Sequence, residues 1–376
     1  MKILLTGGGT GGHFYPNIAV AESINKIAEE KRLLRPEIFY VASVPYDREL
    51  LFQNNVEFRK APAGKMRRYF SLANFFGWFK TAFGIIKAIF DIFSIYPDVI
   101  FSKGGYDSFP AVFAGRLFKI PVVIHESDSV PGRANLWAGK FARKIAISFP
   151  EAENYFPKEK VAYTGNPIRK EILRPIKAGA YEFLRLEEST PVILVLGGSQ
   201  GAKIINDTIL SALPRLVEKY QIIHQTGKEN FEEMKNTANL VLQNSPHINR
   251  YKPYPFLNVL AMKMSAGVAE LVISRAGSTI FEISAWQIPS IIIPVTDSNG
   301  DHQRKNAFSF ARAGGAIVIE ERNLSASVLI SEIDRLMRDR GLREKMSKAS
   351  AEFAKLDSAD KIARELIEIA LLHESR

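Results

Sequence analysis

The sequence predicts an α/β protein of two domains, each a doubly wound parallel sheet. Glycine-rich turns follow short apolar strands near the start of the chain and again in its middle, at Gly7 to Gly12 and Gly197 to Gly201. A pattern with helical spacing follows each turn, so the strand–turn–helix unit occurs in both halves. The length of 376 residues also exceeds what one hydrophobic core usually serves.

The composition is that of an ordinary soluble globular protein, with 46% apolar and 24% charged residues. Cysteine is absent, which excludes disulfides and thiolate metal sites. Met1 to Thr6 shows no signal-peptide pattern, so we expect a cytoplasmic location. Lys and Arg exceed Asp and Glu by ten, but they are scattered and form no nucleic-acid module. The charge therefore favours anionic lipid or phosphorylated substrates over nucleic acid.

The chain begins with a predicted strand, Lys2 to Leu5, the turn Gly7 to Gly12, and a helix predicted over Pro16 to Ile27. The turn formally satisfies the dinucleotide fingerprint, but the second strand ends at Ser43 without the acidic residue that holds a ribose. That disfavours NAD and FAD. His13 follows the turn, where a side chain that titrates near neutral pH suits a general base. The alternative is a helix-entry His bonded to nearby backbone.

An unusually aromatic segment, Gly64 to Ile95, predicts a helix with one narrow polar stripe. Lys80 and Lys87 interrupt the apolar run, so it does not read as a membrane span. We expect one face to pack against a sheet, and the aromatic and basic residues to dip into an anionic bilayer. The residues concerned are Phe75, Phe76, Trp78, Phe79, Phe83, Lys65, Arg67 and Arg68.

Two further strands, Asp98 to Phe101 and Pro121 to Ile124, each run into a polar turn. Because the carboxyl ends of parallel strands meet at one edge, we expect the loops around His13, Lys103 and Glu126 to come together. For Lys103 itself a solvated side chain is the simpler expectation. For His125 it is a side chain satisfied at the end of its strand.

A domain boundary is expected at Gly165-Asn166-Pro167, which breaks regular structure. This assigns residues 1–165 to the first domain and 166–356 to the second. The terminal helix, 357–376, is expected to pack back on the first domain.

The segment from Leu271 to Ala307 reads as strand, glycine turn, helix, strand and polar loop. Free N–H groups at such a helix N-terminus suit a diphosphate, and Glu282, about one turn in, could accept hydrogen bonds from a ribose. The plainer alternative is an ordinary βαβ unit with a solvated Glu. The chain has no D-x-D motif and its six His are isolated, so we expect neither metal nor cofactor.

Taken together, the motifs resemble the MurG-type N-acetylglucosaminyltransferases. The resemblance implies the GT-B fold, in which two Rossmann-like domains face each other across a cleft. The matching segments follow the family order over nearly the whole chain: GGGTGGH (Gly7 to His13), SKGGYDSFPA (Ser102 to Ala111), HES through to Asn135, TGNPIR (Thr164 to Arg169), LGGSQGA (Leu196 to Ala202), HQTG (His224 to Gly227), SRAGS through to Glu282, and DHQRKNA (Asp301 to Ala307).

The resemblance implies inverting transfer of N-acetylglucosamine from UDP-N-acetylglucosamine to the muramoyl 4-hydroxyl of lipid I, giving lipid II in peptidoglycan synthesis. The base would be His13 or Glu126. Where the family usually has His-Glu-Gln-Asn, this chain has His-Glu-Ser-Asp, ending at Asp128. The implied substrate-binding residues are Thr10, Gly11, Gly12, Asp128, Asn135, Arg169, Ser199, Gln200, Leu257, Ala276, Gly277, Ser278, Thr279, Glu282, Gln303 and Asn306.

The same resemblance implies peripheral attachment to the anionic cytoplasmic face of the plasma membrane, and makes the cell-wall and division machinery candidate partners. Two alternatives remain open. One is a glycolipid synthase of the same fold that uses diacylglycerol as acceptor. The other is a UDP-sugar-binding membrane scaffold without activity.

Overall fold

The computed structural model describes residues 1–64, 72–197, 201–296 and 298–374. The chain forms two compact units, here called unit 1 (Met1–Arg169 with Lys355–Arg376) and unit 2 (Lys170–Ala354). It therefore passes from one unit to the other twice. The passages lie between Arg169 and Lys170 and between Ala354 and Lys355.

Short strands and longer helices alternate along both units. The strands are β1 (Lys2–Thr6), β2 (Glu37–Ala42), β3 (Val56–Lys60), β4 (Val99–Ser102), β5 (Val122–Glu126), β6 (Lys144–Ile147), β7 (Val161–Tyr163), β8 (Val192–Leu196), β9 (Gln221–Gln225), β10 (Tyr251–Tyr254), β11 (Ala269–Ser274), β12 (Ser290–Ile292) and β13 (Ala316–Val318). The helices are α1 (Gly11–Glu30), α2 (Arg48–Gln53), α3 (Leu72–Ile95), α4 (Phe109–Leu117), α5 (Arg133–Gly139), α6 (Ala180–Phe183), α7 (Lys203–Leu216), α8 (Phe231–Val241), α9 (Val259–Val268), α10 (Thr279–Trp286), α11 (His302–Arg312), α12 (Ala326–Arg338), α13 (Arg340–Phe353) and α14 (Ser358–Glu374).

Each unit is built on one parallel sheet. Within the described chain, the order is β3-β2-β1-β4-β5-β6-β7 in unit 1 and β10-β9-β8-β11-β12-β13 in unit 2. The strand order reverses between β1 and β4, and again between β8 and β11. Ligands of doubly wound sheets bind beyond the carboxyl ends of the strands at such switch points. The predicted fold class of two doubly wound parallel sheets is confirmed.

Helices cover both faces of the unit 1 sheet because its strands are apolar on both faces. Ile3 and Leu5 of β1 pack with α1 and α14, whereas Leu4 between them packs on the opposite face with α3 and α4. This is the alternation that a strand imposes on its side chains. The buried face of α14 carries Ile362, Leu366, Ile369 and Ala370, so the C-terminal helix is part of unit 1.

Helix α1 begins five residues earlier than the sequence indicated. The expected start was Pro16, a residue that favours a first turn, but Pro16 lies inside the helix. The Thr10 carbonyl accepts hydrogen bonds from the N–H groups of His13 and Phe14, both at 3.1 Å. The last glycines of the turn are therefore helical, and His13 lies in the first turn, at the positively polarised end of the helix.

Helix α3 has a small, buried face and a large, exposed apolar face. Its buried residues include Gly84, Ala88 and Ile92. A Cβ at Gly84 would stand 1.7 Å from the Pro62 carbonyl oxygen, so only glycine permits this close approach. The outward apolar residues, here called the exposed stripe, are Phe79, Phe83, Ile86, Phe90 and Phe93.

The described helices include none that is both long and apolar enough to cross a membrane. The side chains of Lys65, Arg67, Arg68, Phe75, Phe76 and Trp78, which entered the membrane prediction, lie outside the described part of the chain.

Candidate active site

The glycine turn after β1 lies directly against the start of the turn after β4. Gly7 has φ 133°, and a Cβ there would come within 2.8 Å of the Lys103 Cβ. The Tyr40 hydroxyl donates a hydrogen bond to the Gly7 carbonyl, which holds the turn from below. Glycine is required here both for the conformation and for the close approach. The switch point of unit 1 is thus formed by these two turns.

His13 stands at this switch point. Its Nδ1 lies 3.1 Å from the Thr10 Oγ1. A Cβ placed on Gly105 would be 3.6 Å from its Nε2, so the turn after β4 lies beside the ring. If Nδ1–H donates to the Thr10 hydroxyl, Nε2 is the nitrogen that can accept a proton. Thr10 then fixes the tautomer that a general base needs.

Lys103 is buried, so the expectation of a solvated side chain is wrong. Its Nζ lies 2.5 Å from the His125 Nδ1, 3.1 Å from the Ser127 Oγ and 3.1 Å from the Asn166 Oδ1. Burial lowers the pKa of Lys103 to about 7, a shift that the carboxylates of Glu126 and Asp128 oppose. No local pattern in the sequence indicates this burial, because the three partners of Lys103 lie 22 to 63 residues away.

His125 is satisfied at the end of β5, as expected. Its Nδ1 faces the Lys103 ammonium, which can only donate, and its Nε2 lies 2.9 Å from the Gly165 carbonyl oxygen. The ring is therefore the neutral Nε2–H tautomer. Burial first, and Lys103 next, hold the pKa of His125 well below its usual value. This His does not act as a proton carrier near neutral pH.

Glu126 uses its carboxylate to organise its own loop. Its Oε1 accepts from the Asp128 N–H at 2.9 Å, and its Oε2 accepts from the Gly132 N–H at 3.1 Å and the Asn135 Nδ2 at 2.9 Å. Burial, and after it the Asp128 carboxylate, raises the pKa of Glu126 to about 7. The arrangement shapes the loop from 126 to 135, which also carries Asp128.

Asn135 presents one polar atom that the fold does not use. Its Nδ2 donates to the His125 carbonyl and to Glu126, whereas its buried Oδ1 has no hydrogen-bond partner among the described residues. Gly104, with φ 76°, lies against this amide, where a Cβ would stand 2.8 Å from Oδ1. The amide oxygen is an acceptor that a hydroxyl of a sugar could use.

Asp107 is a buried acid that the sequence analysis did not single out. The Ser43 hydroxyl donates to its Oδ1 at 2.6 Å, and its Oδ2 has no hydrogen-bond partner in the part of the chain described. Burial raises the pKa of Asp107, against the hydrogen bonds from Ser43 and the charge of Lys80. A Cβ on Gly8 would lie 2.8 Å from Oδ2, so this acid supports the glycine turn from beneath. The sequence signal that could have identified Asp107 is its position directly after a second glycine turn.

Arg169 is the last residue of unit 1 before the chain passes into unit 2. The side chain is largely buried, and its guanidinium carbon lies 3.8 Å from the centre of the Tyr15 ring. A cation held over an aromatic face in this way keeps one orientation. Tyr15 belongs to α1, so Arg169 is joined to the helix that carries His13.

In unit 2 the turn from β11 to α10 offers open backbone at the switch point. A Cβ on Gly277 would meet nothing within 4 Å, and Ser278 and Thr279 begin the helix. The turn is anchored by the buried Asn306 of α11, whose Nδ2 donates to the Ala276 carbonyl at 3.2 Å. Glu282 lies in the first turn of α10. The N–H groups and the positive dipole end at such a helix N-terminus are features that suit a diphosphate.

The remaining predicted residues of unit 2 are placed by their neighbours. The Gln303 Oε1 accepts from the Val295 N–H at 3.2 Å, which ties the loop after β12 to α11. Leu257 is buried, and its N–H donates to the Gln225 Oε1 at 3.0 Å, at the carboxyl end of β9. Ser199 and Gln200 lie outside the described residues. No group of three His, Asp or Glu suited to a metal ion occurs in the described chain.

Known proteins resemble this chain over nearly its full length. Residues 3–147 match the glycosyltransferase family 28 N-terminal domain and residues 192–362 match its C-terminal domain. A Bacillus cereus UDP-N-acetylglucosamine--N-acetylmuramyl-(pentapeptide) pyrophosphoryl-undecaprenol N-acetylglucosamine transferase is 40% identical over 339 residues, 89% of this chain and 91% of its own. The chain belongs to this transferase family.

Further members agree with the assignment. The Clostridium botulinum transferase of the same name is 36% identical over 372 residues, 97% of this chain and 98% of its own. Among solved structures, Acinetobacter baumannii MurG matches with a TM-score of 0.72 and 25% identity, covering 98% of this chain and 99% of that chain. The predicted MurG-type family and glycosyltransferase class are thereby confirmed.

Proposed function

We propose that this glycosyltransferase moves N-acetylglucosamine from UDP-N-acetylglucosamine to the muramoyl 4-hydroxyl of lipid I, giving lipid II, with inversion. The hydroxyl oxygen bonds to the anomeric carbon while the bond from that carbon to the UDP oxygen breaks. The hydroxyl proton passes to a base, and UDP leaves with the bonding electron pair. Family membership at 40% identity, together with the open helix N-terminus after Ala276, is the main support.

The donor's diphosphate fits the start of α10. Charge develops on the leaving UDP, and the N–H groups of Gly277, Ser278 and Thr279 at a positive helix end stabilise that charge. Glu282, one turn on, is proposed to accept hydrogen bonds from the ribose hydroxyls. Leu257 is proposed to pack near the uracil, with Ser199 and Gln200 as further donor contacts.

Two polar residues of α11 are assigned to the donor sugar. Gln303, in the first turn of α11, is proposed to contact it. Asn306 is buried and already donates to the Ala276 carbonyl, so its contribution includes holding the α10 turn in place. Arg169 supplies a further cation for the nucleotide sugar.

His13 is the proposed base, because Thr10 can hold the tautomer in which Nε2 accepts a proton. Glu126 is assigned a positioning role, since three hydrogen bonds from its own loop engage both of its oxygen atoms. Gly11, Gly12, Asn135 and Asp128 complete the substrate contacts of unit 1. Where the family has an amide, Asp128 offers a carboxylate, which accepts hydrogen bonds only.

The acceptor carries a polyprenyl chain, and the exposed stripe of α3 is proposed to meet its membrane. Phe79, Phe83, Ile86, Phe90 and Phe93 are each more than half exposed and lie on one helical face. Lys80 on α3, and Arg116 and Lys119 at the end of α4, are exposed cations. Apolar rings beside cations suit an anionic lipid surface, here the cytoplasmic face of the plasma membrane. The division machinery would be met at the same surface.

A transfer assay tests the reaction. Purified protein is given UDP-N-acetylglucosamine with either lipid I or diacylglycerol in matched vesicles, and UDP release is followed together with the glycolipid product. We expect UDP release and a β-linked disaccharide product with lipid I alone. Turnover with diacylglycerol instead would identify the glycolipid synthase alternative. UDP binding without turnover on either acceptor would identify the scaffold alternative.

A further inference from the structure

Lys103 joins three separate segments at the carboxyl edge of the unit 1 sheet. It follows β4 directly, and its Nζ contacts His125 at the end of β5, Ser127 in the next loop, and Asn166 beyond β7. An ammonium has three N–H donors, and here each has one acceptor. The side chain is almost completely buried, so no solvent replaces a lost partner.

His125 extends this network to the segment that precedes Arg169. Since Nδ1 accepts from Lys103, Nε2 carries the hydrogen and donates to the Gly165 carbonyl at 2.9 Å. The same carbonyl accepts from the hydroxyl of Ser358, the first residue of α14, at 2.8 Å. A Cβ on Gly165 would stand 2.4 Å from the Lys355 Cβ. The backbone at Gly165 and Asn166 is therefore held from several sides.

Arg169 comes three residues after Asn166. Its guanidinium is fixed over the Tyr15 ring at 3.8 Å, but that contact leaves the backbone of the segment to be fixed by other means. The bonds from Lys103 to Asn166, and through His125 to Gly165, supply that constraint. A cation stabilises developing charge most when its position is set before the ligand arrives.

We propose that Lys103 is a positioning residue for the nucleotide sugar: it fixes the segment from Gly165 to Arg169 so that Arg169 meets the donor's negative charge, while Lys103 touches no substrate. This inference rests on the proposed function in taking a UDP-sugar as the donor and Arg169 as one of its contacts. A purely structural Lys103 would stabilise unit 1 without affecting what Arg169 binds.

A double-mutant cycle separates the two roles. UDP-N-acetylglucosamine alone, without acceptor, is titrated calorimetrically into wild type, Lys103→Met, Arg169→Ala and the double variant. We expect Arg169→Ala to weaken binding about tenfold and Lys103→Met to weaken it about fivefold. The double variant should bind no more weakly than Arg169→Ala, because both changes remove the same interaction between Arg169 and the donor. Lys31→Met, a change to an exposed lysine at the end of α1, is the control and should bind as wild type.

Three outcomes would overturn the proposal: Lys103→Met binding as wild type even if its melting temperature falls, losses that add in the double variant, or unchanged binding by Arg169→Ala. If the binding losses are coupled as expected but the protein transfers no sugar to lipid I, this inference is supported and the proposed function is overturned. Failure of the inference and failure of the proposed function are therefore distinguishable.

If Lys103→Met does not fold, Asn166 provides the second test. Asn166→Asp keeps an oxygen acceptor for Lys103, whereas Asn166→Leu removes it. We expect donor affinity close to wild type for the first and several-fold weaker for the second. Equal affinity of the two folded variants would overturn the proposal.

Discussion

The two switch points have the same topology but different chemistry. At the carboxyl edge of unit 1, Lys103, Asp107, His125 and Glu126 are all buried, and three of them interact with one another. In unit 2 the buried titratable group at the end of β9 is His224, whose ring contacts are the neutral Tyr251 hydroxyl and Asn206 amide. Burial alone lowers the pKa of His224 to about 3.

This difference between the switch points indicates that the two units contribute differently to the proposed reaction. Unit 1 buries four titratable groups whose pKa values are shifted by desolvation, and groups of this kind gather where protons move. Unit 2 presents open backbone at Gly277 and a helix N-terminus, an arrangement that suits an anion without any buried charge. If this contrast is correct, changes to the proposed base in unit 1 affect turnover, and changes at the start of α10 in unit 2 affect donor affinity.

The largest expected effect comes from His13→Ala. Loss of the base should lower turnover with lipid I by roughly 10²–10⁴-fold, with UDP affinity nearly unchanged. Steady-state kinetics beside calorimetric titration with UDP measure both quantities. Thr10→Val should show a smaller loss of the same kind, because it removes the hydroxyl beside Nδ1, and Thr10→Ser is its control.

The pH profile of the wild type does not by itself identify the base. Burial raises the pKa of Glu126 to about 7, which is close to the usual range of His. A base of either kind would therefore give a limb near neutral pH in the profile of turnover against pH. The turnover of the single variants has to identify which residue is the base. Near-normal turnover of His13→Ala together with an inactive Glu126→Gln would move the assignment to Glu126.

The next effect concerns a surface of unit 1 rather than its switch point. Replacing Phe79, Phe83 and Phe90 of the exposed stripe by Ser should weaken binding to anionic vesicles about 10²-fold, since each ring would lose its burial in lipid. Vesicle sedimentation measures this, and Phe52→Ser, at an exposed Phe of α2, is the control. Unfolding of the triple variant, or binding equal to the control, contradicts the membrane role.

In unit 2, Glu282→Ala should weaken UDP binding about tenfold, as expected when a ribose loses hydrogen bonds to a charged acceptor. Glu232→Ala is a matched control, because Glu232 is also an acid in the first turn of a unit 2 helix. Calorimetric titration compares the two. If the two variants bind UDP with equal affinity, Glu282 does not bind the ribose, and the contrast between the units is weakened.

The smallest effect is on stability. Because burial raises the folded-state pKa of Asp107, the unfolded chain loses its proton at lower pH than the folded chain. Stability from this group is therefore present at low pH and falls as pH rises from the ordinary Asp range to the raised pKa. Asp107→Asn should remove that slope and stabilise the protein by about 1 kcal/mol above it. Urea unfolding at several pH values measures this, and a wild-type-like slope would contradict it.

Local sequence patterns predicted much of the fold. The alternation of strand and polar or glycine turn predicted β1, β4, β5, β8 and β11 to within a few residues. Five short strands, β3, β6, β7, β10 and β13, were not predicted, since each has five residues or fewer and β10 contains Pro253, which reads as a break. These strands depend on their neighbours in the sheet, and a neighbour distant in sequence leaves no local signal.

The sequence by itself determined the strand–turn–helix rhythm, the family, and the cluster of polar loops that includes His13 and Glu126. Tertiary structure decided which of those side chains are buried and what they bond. Lys103 looked solvated because its acceptors come from two other segments, at 125–127 and at 166. Gly165-Asn166-Pro167 looked like a break because its partners lie at positions 103, 125 and 358. Backbone conformation follows from near neighbours along the chain, whereas desolvation and hydrogen-bond partners follow from segments that meet only once both faces of the sheet are covered.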